Sequence, residues 1–338
     1  MKSAPITLDS AAASVIVGVL GHGSRAISGE DLVSIARHPN VAKLVIFWNS
    51  PSIEMREALD DLQEKISNAI ILVSQDNLGS AGGYARLIEY FQNTENSPFL
   101  LLLDDDLQPE SDCLEQLLAT AALHARVLDH SLFLAHRPGL PELADLVSNQ
   151  IAIRRPRPSC CIGFHIMNFI KPACEPIDRD IETGLYSIGS APWGGLLIPR
   201  QALKKLGSPR EDFFLYAEDY ELTARFVWGG GKIMLVPNAV IQDKDTAWNA
   251  VGGNISGLKR RLLKLPEIKV FYEVRNRNFM ARRYYPGWYP VYFLNKYIFL
   301  AATYALGMLH RKLSRSRLIH RAINDGEHMA TDRLSKDY

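Results

Sequence analysis

Three consecutive carboxylates, Asp104-Asp105-Asp106, stand directly behind the apolar run Leu100-Leu-Leu-Leu103. Acids crowded at the end of a buried strand repel one another unless a cation neutralises them, and oxygen donors of this kind suit Mg2+ or Mn2+. The alternative is helix capping, because acids favour a helix N-terminus and Pro109-Glu-Ser-Asp112 has the look of a helix start. One acid would serve that purpose, and three exceed it. A second acidic group, Glu218-Asp219, follows the aromatic run Phe213-Phe-Leu-Tyr216 and opens an amphipathic segment. It either caps its own helix or supplies a general base facing an acceptor hydroxyl. A third signal is Asn77-Leu-Gly79-Ser-Ala-Gly82-Gly83-Tyr84. Small residues entering a helix let backbone amides approach an anion. The spacing is neither GxGxxG nor a P-loop, and tight packing also produces such glycines.

The elements that position these residues are legible as alternation. Apolar runs at 14–20, 43–49, 69–74 and 98–103 are separated by about 20 residues that contain helix-length amphipathic segments, the signature of βαβ units and a largely parallel sheet. Each run ends in polar residues: Gly21-His22-Gly23, Asn49-Ser50, Gln75-Asp76-Asn77 and the three acids. Ligands of open α/β sheets bind at the carboxyl ends of strands, so these ends should share one crevice. Beyond about residue 128 the alternation fails, and crossing strands and loops are expected up to Gly189. The pattern resumes with a strand at 193–199, a short helix at 201–206, a helix at 218–228 and a strand at 232–236 closed by Pro237-Asn238. A second block of mixed sheet follows from this reading, and helices follow after Trp248.

The chain of 338 residues balances 38 Lys+Arg against 37 Asp+Glu. That balance argues against a uniformly basic nucleic-acid binder. The charge is uneven: residues 257–321 carry fifteen Lys/Arg and two acids, so any basic partner surface is C-terminal. The four cysteines, Cys113, Cys160, Cys161 and Cys174, have no zinc-type spacing and read as reduced thiols of a cytosolic protein. The first fourteen residues lack the apolar run of an export signal. The apolar stretch 288–309 has the length of a membrane span, but Lys296 sits near its middle. A charge there costs about 2.5 to 3.5 kcal/mol on insertion scales. An interfacial helix flanked by basic residues fits better, with a packed helical appendage or an oligomer contact as the alternative.

Taken together, these residues resemble the inverting glycosyltransferases of family 2, and within them the bacterial rhamnosyl- and galactofuranosyltransferase group. The resemblance covers about Ser14 to Trp248 and continues into Tyr272-Glu-Val-Arg-Asn276, which looks like that group's Y-x-V-R-N segment. It implies an α/β chain of the GT-A fold, a Rossmann-like mixed sheet flanked by helices. It further implies that Asp104 and Asp106 hold Mg2+ or Mn2+ on the donor diphosphate, with Asp105 between them in the donor site. Asn49 is similar to the position that contacts base or ribose. Asn77, Gly79, Gly82 and Gly83 look like the donor loop, and Trp193-Gly194-Gly195 like the segment lining the sugar and acceptor subsites. Asp219, beside Glu218, matches the catalytic base. Relatives often carry a metal-binding His where Asp243 stands here, so Asp243, or the nearby Asp245, is a candidate ligand. His22 and Arg25 follow the first strand, where the family shows polar residues near the nucleotide, and a loop His without a role is the alternative.

The implied organisation is an N-terminal tail over 1–13, a GT-A domain over 14–248 and a basic helical extension over 249–338. The implied activity is transfer of a sugar, of galactofuranose or rhamnose type, from a UDP- or dTDP-sugar to a hydroxyl of a bacterial surface glycan or lipid-linked glycan. Such a protein works in the cytoplasm on the inner face of the membrane, against an anionic lipid surface, in polysaccharide biosynthesis. No nucleic acid partner is implied, and a homo-oligomer is left open. Two rivals remain: a nucleotidyltransferase, and a catalytically silent glycan-binding or scaffold subunit. The loops between about 130 and 190, where selecting contacts belong, match nothing interpretable.

Overall fold

The computed structural model describes residues 14–23, 28–94, 97–244 and 257–334. The chain divides into two compact units, the first drawn from Met1–Ile151, Ile177–Phe214 and Glu218–Thr246, the second from Ala152–Pro176, Leu215–Ala217 and Ala247–Tyr338.

The first unit is built on one mixed sheet. Its strands are β1 (Val15–His22), β2 (Val41–Asn49), β3 (Ala69–Ser74), β4 (Phe99–Asp104), β5 (Leu107–Pro109), β6 (Ser131–His136), β7 (Asp178–Arg179), β8 (Tyr186–Ile188), β9 (Leu196–Pro199) and β10 (Lys232–Asp243). The order across the sheet is β3-β2-β1-β4-β9-β6-β10-β8-β7, with β5 pairing β10. β3, β2, β1 and β4 run parallel, while β9 is antiparallel to both neighbours. Val15, Val17, Val19, Leu44, Ile46, Leu101 and Leu103 lie in one apolar core. Continuous Val/Ile/Leu runs are what strands covered on both faces require. The helices are α1 (Gly29–Ala36), α2 (Ile53–Lys65), α3 (Gly79–Asn93), α4 (Cys113–Leu123), α5 (Pro141–Asn149), α6 (Leu203–Leu206) and α7 (Glu218–Trp228).

Two elements depart from expectation. Pro109 ends a strand rather than starting a helix, and α4 begins only at Cys113. The three acids therefore sit at the end of β4 and in the turn to β5, and helix capping is removed as their explanation. Pro237-Asn238 does not close β10, which runs on to Asp243. The register against β6 shifts between Val236 and Val240; the irregularity takes up a proline that has no N–H to give the ladder. The strand then continues beside β5, with Asp243 opposite Leu107.

The second unit contains α8 (Gly257–Leu263), α9 (Glu267–Tyr284), α10 (Tyr289–Leu309) and α11 (Leu313–Leu334). Leu262, Val270, Val274, Tyr292, Phe299, Leu300, Ile319 and Ile323 form its core together with Cys161 and Ile162. Among the described residues, the buried Lys296 and Glu273 are both paired with opposite charge. Lys296 Nζ lies 2.7 Å from Glu327 Oε2 and 2.9 Å from Asn324 Oδ1. Glu273 Oε1 meets Arg261 at 2.9 Å and Arg260 at 3.2 Å. Burial pushes the Glu273 carboxyl up, and the neighbouring Arg261 and Arg277 outweigh it, leaving it below the usual range. Lys296 thus belongs to the packed face of α10. Trp288, Tyr289, Phe293, Leu294 and Tyr297 are exposed. Among the described residues no helix is long and apolar enough to cross a membrane.

Candidate active site

The parallel half of the sheet brings the polar strand ends together. In the β1–β4 ladder Leu20 stands opposite Asp104, and in the β1–β2 ladder His22 stands opposite Asn49. Asp104 closes β4, and the Asp106 carbonyl accepts from the Lys244 amide at 2.9 Å, tying the acidic turn to the end of β10.

Asp104 is the hub of the site. Tyr84, from α3, donates its hydroxyl to Asp104 Oδ1. Arg137, directly after β6, places Nη1 3.7 Å from Asp104 Oδ2 and pairs through Nη2 with Asp243 Oδ1. Burial pushes the Asp104 carboxyl above its ordinary value; Arg137 and Tyr84 work against that, and the charges of Asp106 and Asp243 add to it. Gly194 makes this cluster sterically feasible. A Cβ there would lie 2.7 Å from Arg137 Nη1 and 2.9 Å from Asp104 Oδ2.

The glycine-rich loop is locked from beneath. Asn49 is 2% exposed. Its Nδ2 donates to the Gly79 carbonyl at 2.8 Å, and its Oδ1 accepts from the Leu78 amide at 3.2 Å. The residue expected to face a nucleotide therefore has its amide committed to holding the loop. Asn77 Oδ1 accepts from the Gly79 amide at 2.9 Å, an Asx turn that starts α3. Gly79 has φ +69°, and a Cβ on it would lie 2.0 Å from the Phe214 carbonyl oxygen. Gly82 and Gly83 pack closely on Leu78 and Leu20, so tight packing accounts for both.

The second acidic pair begins α7. Glu218 is 3% exposed, and its Oε1 accepts from the Ser80 hydroxyl of the glycine-rich loop. Burial raises its carboxyl from 4.5 to about 6, against the Ser80 hydrogen bond and with help from the Asp104 charge. Asp219 is half-buried, with Oδ1 accepting from the Tyr220 amide at 2.8 Å. The buried Thr223 hydroxyl, 2.7 Å from the Asp219 carbonyl, also accepts from the Ala191 amide at 2.9 Å. It fixes the first turn of α7 to the segment leading to Trp193. That tryptophan is buried and stacks on Tyr84, with ring centroids 4.8 Å apart and planes 25° from parallel. The stack gives Trp193 a structural role, linking the glycine-rich loop to the segment that carries Gly194.

Two buried polar atoms here, Arg137 Nε and Asp243 Oδ2, have no hydrogen-bond partner, and the Trp193 side chain is a hydrogen-bond donor to the Glu218 carboxylate. Unsatisfied groups of this kind are rare in native interiors and call for an explanation. No three His, Cys, Asp or Glu among the described residues are gathered as a metal cage. Mg2+ is usually held by one or two carboxylates plus the phosphates of its substrate, so Asp104 and Asp106 fit such an ion in donor type and number. Asp243 is held by Arg137, and Asp245 lies outside the described residues, as does Arg25. His22 is exposed at the end of β1. Sequence reading missed Arg137, Tyr84, Ser80 and Thr223. Tyr84 and Ser80 lie inside the glycine-rich segment, whereas Arg137 and Thr223 carry no motif that marks them.

The sequence profile of the family described as glycosyltransferase like family 2 matches residues 15–254. No curated protein matches in sequence. Among solved structures, GalNAc-T7, crystallised with UDP, GalNAc and Mn2+, is similar at 15% identity and TM-score 0.52, over 70% of this chain and 44% of that one. Staphylococcus aureus TarS (residues 1–349) with UDP-GlcNAc is similar at 12% identity and TM-score 0.49, over 95% of this chain and 82% of that one. The mannosyltransferase PcManGT of Pyrobaculum calidifontis, with GDP-Man and Mn2+, gives 12% and 0.45, over 92% and 86%. The chain spans less than half the length of GalNAc-T7. The likeness to GalNAc-T7 shows a shared fold, the mixed α/β sheet flanked by helices of the GT-A type. The profile match takes in well over half of the chain, including both acidic groups and the glycine-rich loop: the chain belongs to the glycosyltransferase like family 2.

Proposed function

We propose that the protein is an inverting glycosyltransferase that moves a sugar from a nucleoside diphosphate to an acceptor hydroxyl, with a divalent cation on the donor side. The observation that carries this reading is the joining of two acidic centres through one loop: Tyr84 donates to Asp104, and Ser80, four residues earlier, donates to Glu218. Asp104 and Asp106 would hold Mg2+ or Mn2+, which supplies charge to offset the negative charge that builds on a departing diphosphate. Asp219, the more open member of the second pair, removes the acceptor proton. The acceptor oxygen bonds to the anomeric carbon from the face opposite the diphosphate. The bond from that carbon to the diphosphate oxygen breaks, its electron pair leaves with the nucleoside diphosphate, and one displacement inverts the centre. The UDP and Mn2+ in the GalNAc-T7 crystal support this choice of donor and ion.

Three finer assignments belong to the same proposal. The catalytic domain is 14–248 and the basic helical extension is 249–338, supported by the profile match over 15–254. The donor sugar is rhamnose or galactofuranose, carried on dTDP or UDP, supported by the Tyr272–Asn276 segment, and the acceptor is a bacterial surface glycan or its lipid-linked form. The protein sits peripherally on the inner, anionic face of the membrane, supported by exposed Trp288, Tyr289, Phe293, Leu294 and Tyr297 within a strongly basic region. The test is to incubate the protein with dTDP-rhamnose, UDP-galactofuranose and other nucleotide sugars, with Mn2+ or with a chelator. Metal-dependent release of nucleoside diphosphate is expected, and release of pyrophosphate would assign a nucleotidyl transfer instead.

A further inference from the structure

Three of the four residues before α7 hold a backbone conformation that L side chains rarely adopt: Phe214 at φ +63°, Tyr216 at +67° and Ala217 at +65°. None is glycine, and each such residue costs about 1 kcal/mol or more. A run of them persists only where its surroundings over-determine it. At the upstream end, the Phe214 carbonyl accepts from the Ala81 amide at 3.0 Å, beneath the space that Gly79 leaves by lacking a side chain. At the downstream end, the carbonyls of Leu215 and Tyr216 both accept from one amide, Asn276 Nδ2, at 3.0 and 2.8 Å. Asn276 is 0% exposed, and its Oδ1 accepts from Arg275 Nε at 2.9 Å. Leu215–Ala217 and Asn276 fall in the same compact unit, and Ala217 is bonded covalently to Glu218.

We propose that Asn276 is a positioning residue: by clamping two successive carbonyls it holds the segment 215–217, whose last residue is bonded to Glu218, and so sets how the chain delivers Glu218 and Asp219 at the start of α7. The proposal rests on the reading of Asp219 as the base. A short side chain with two N–H donors suits the task, because both donors of one amide reach adjacent carbonyls only when the chain between them is folded tightly. The strain is held where the chemistry needs a fixed carboxylate, the usual location of strained backbone.

The test uses Asn276→Ala, and Asn276→Asp, which keeps the volume, loses the donors and places its charge beside Arg275. Turnover should fall about 10²-fold, the scale of a misplacement of about 1 Å, while UDP affinity measured by calorimetry with Mn2+ stays within about twofold. Adding Ala217→Gly to either variant should recover about fivefold, since glycine takes the left-handed region without strain. Amide exchange across 215–219 should quicken in the single variants and slow again in the doubles, a readout that needs no substrate. Unchanged exchange, or a turnover loss that glycine does not relieve, overturns the proposal, as does an equal loss of UDP affinity and turnover. Asp219→Asn is measured alongside. If it is inactive while Asn276→Ala is fully active, the positioning role alone fails; if Asp219→Asn is itself active, the base assignment fails first.

Discussion

Replacing Glu218 by Gln tests whether the buried acid is held under electrostatic strain. Its carboxyl titrates near 6 in the fold, against 4.5 for the unperturbed group, with burial as the main cause. A folded-state value above the unfolded one means that the native protein binds the proton more tightly. The stabilisation from that proton is complete below about pH 4.5 and is lost as pH rises through about 6. Each pKa step is worth 1.36 kcal/mol, so at pH 8 the ionised carboxylate destabilises the fold by about 2 kcal/mol. A Gln side chain has the same shape and stays neutral, but it offers one acceptor oxygen where the carboxylate serves both the Ser80 hydroxyl and the Trp193 side chain. The expected gain is therefore about 1 to 2 kcal/mol at pH 8, shrinking to nothing or reversing at pH 4.5. Denaturant titrations of wild type and Glu218→Gln at pH 4.5, 6 and 8 read this directly. A variant equally or less stable at pH 8, with no pH trend in the difference, would refute the reasoning.

Asp106→Ala should remove the Mn2+-dependent part of UDP binding with the fold retained; calorimetry with and without Mn2+ showing the same affinities in variant and wild type would remove the cation site. Arg137→Met leaves Asp104 and Asp243 facing each other without their shared cation, and breaking a buried pair in this way costs about 3 to 5 kcal/mol; a loss below 1 kcal/mol in denaturation would show that the two carboxylates do not depend on it. The exposed aromatic face of α10 and the surrounding basic residues should take the protein onto anionic vesicles at low salt and release it in part at 1 M salt, where the Debye length is about 3 Å. Equal binding to neutral vesicles would point to a hydrophobic anchor instead.

The strands that frame the site could be read from apolar runs alone. Observed β3 begins and ends at the expected residues, Ala69 and Ser74, and α7 occupies the expected 218–228. These elements carry period and punctuation in their own residues. What could not be read is whatever depends on partners distant in sequence. Leu107–Pro109 is too short to show a period and is a strand only because β10 lies beside it. Arg137 looks like any loop arginine until β6 and β10 run in parallel and set it against Asp243. The amide of Asn49 carries no mark of its direction, and the glycines that suggest phosphate approach also let α3 lie against Leu20. The placement of 152–176 with the C-terminal helices has no periodic signature, since its backbone is paired locally through bridges such as Arg154 with Cys174. Lys296, read as an obstacle within an apolar helix, is compensated by Glu327, about thirty residues further on.

The most direct test of the account compares turnover and donor binding in Asp219→Asn. Nucleoside diphosphate release from a nucleotide-sugar donor in the presence of acceptor should fall about 10² to 10⁴-fold, the span of general base catalysis, while donor affinity with Mn2+ stays close to wild type and Glu218→Gln keeps most of its activity. An active Asp219→Asn beside an inactive Glu218→Gln would contradict the assignment of the base, and wild-type protein that releases no nucleoside diphosphate from any sugar donor would contradict the proposed transfer itself.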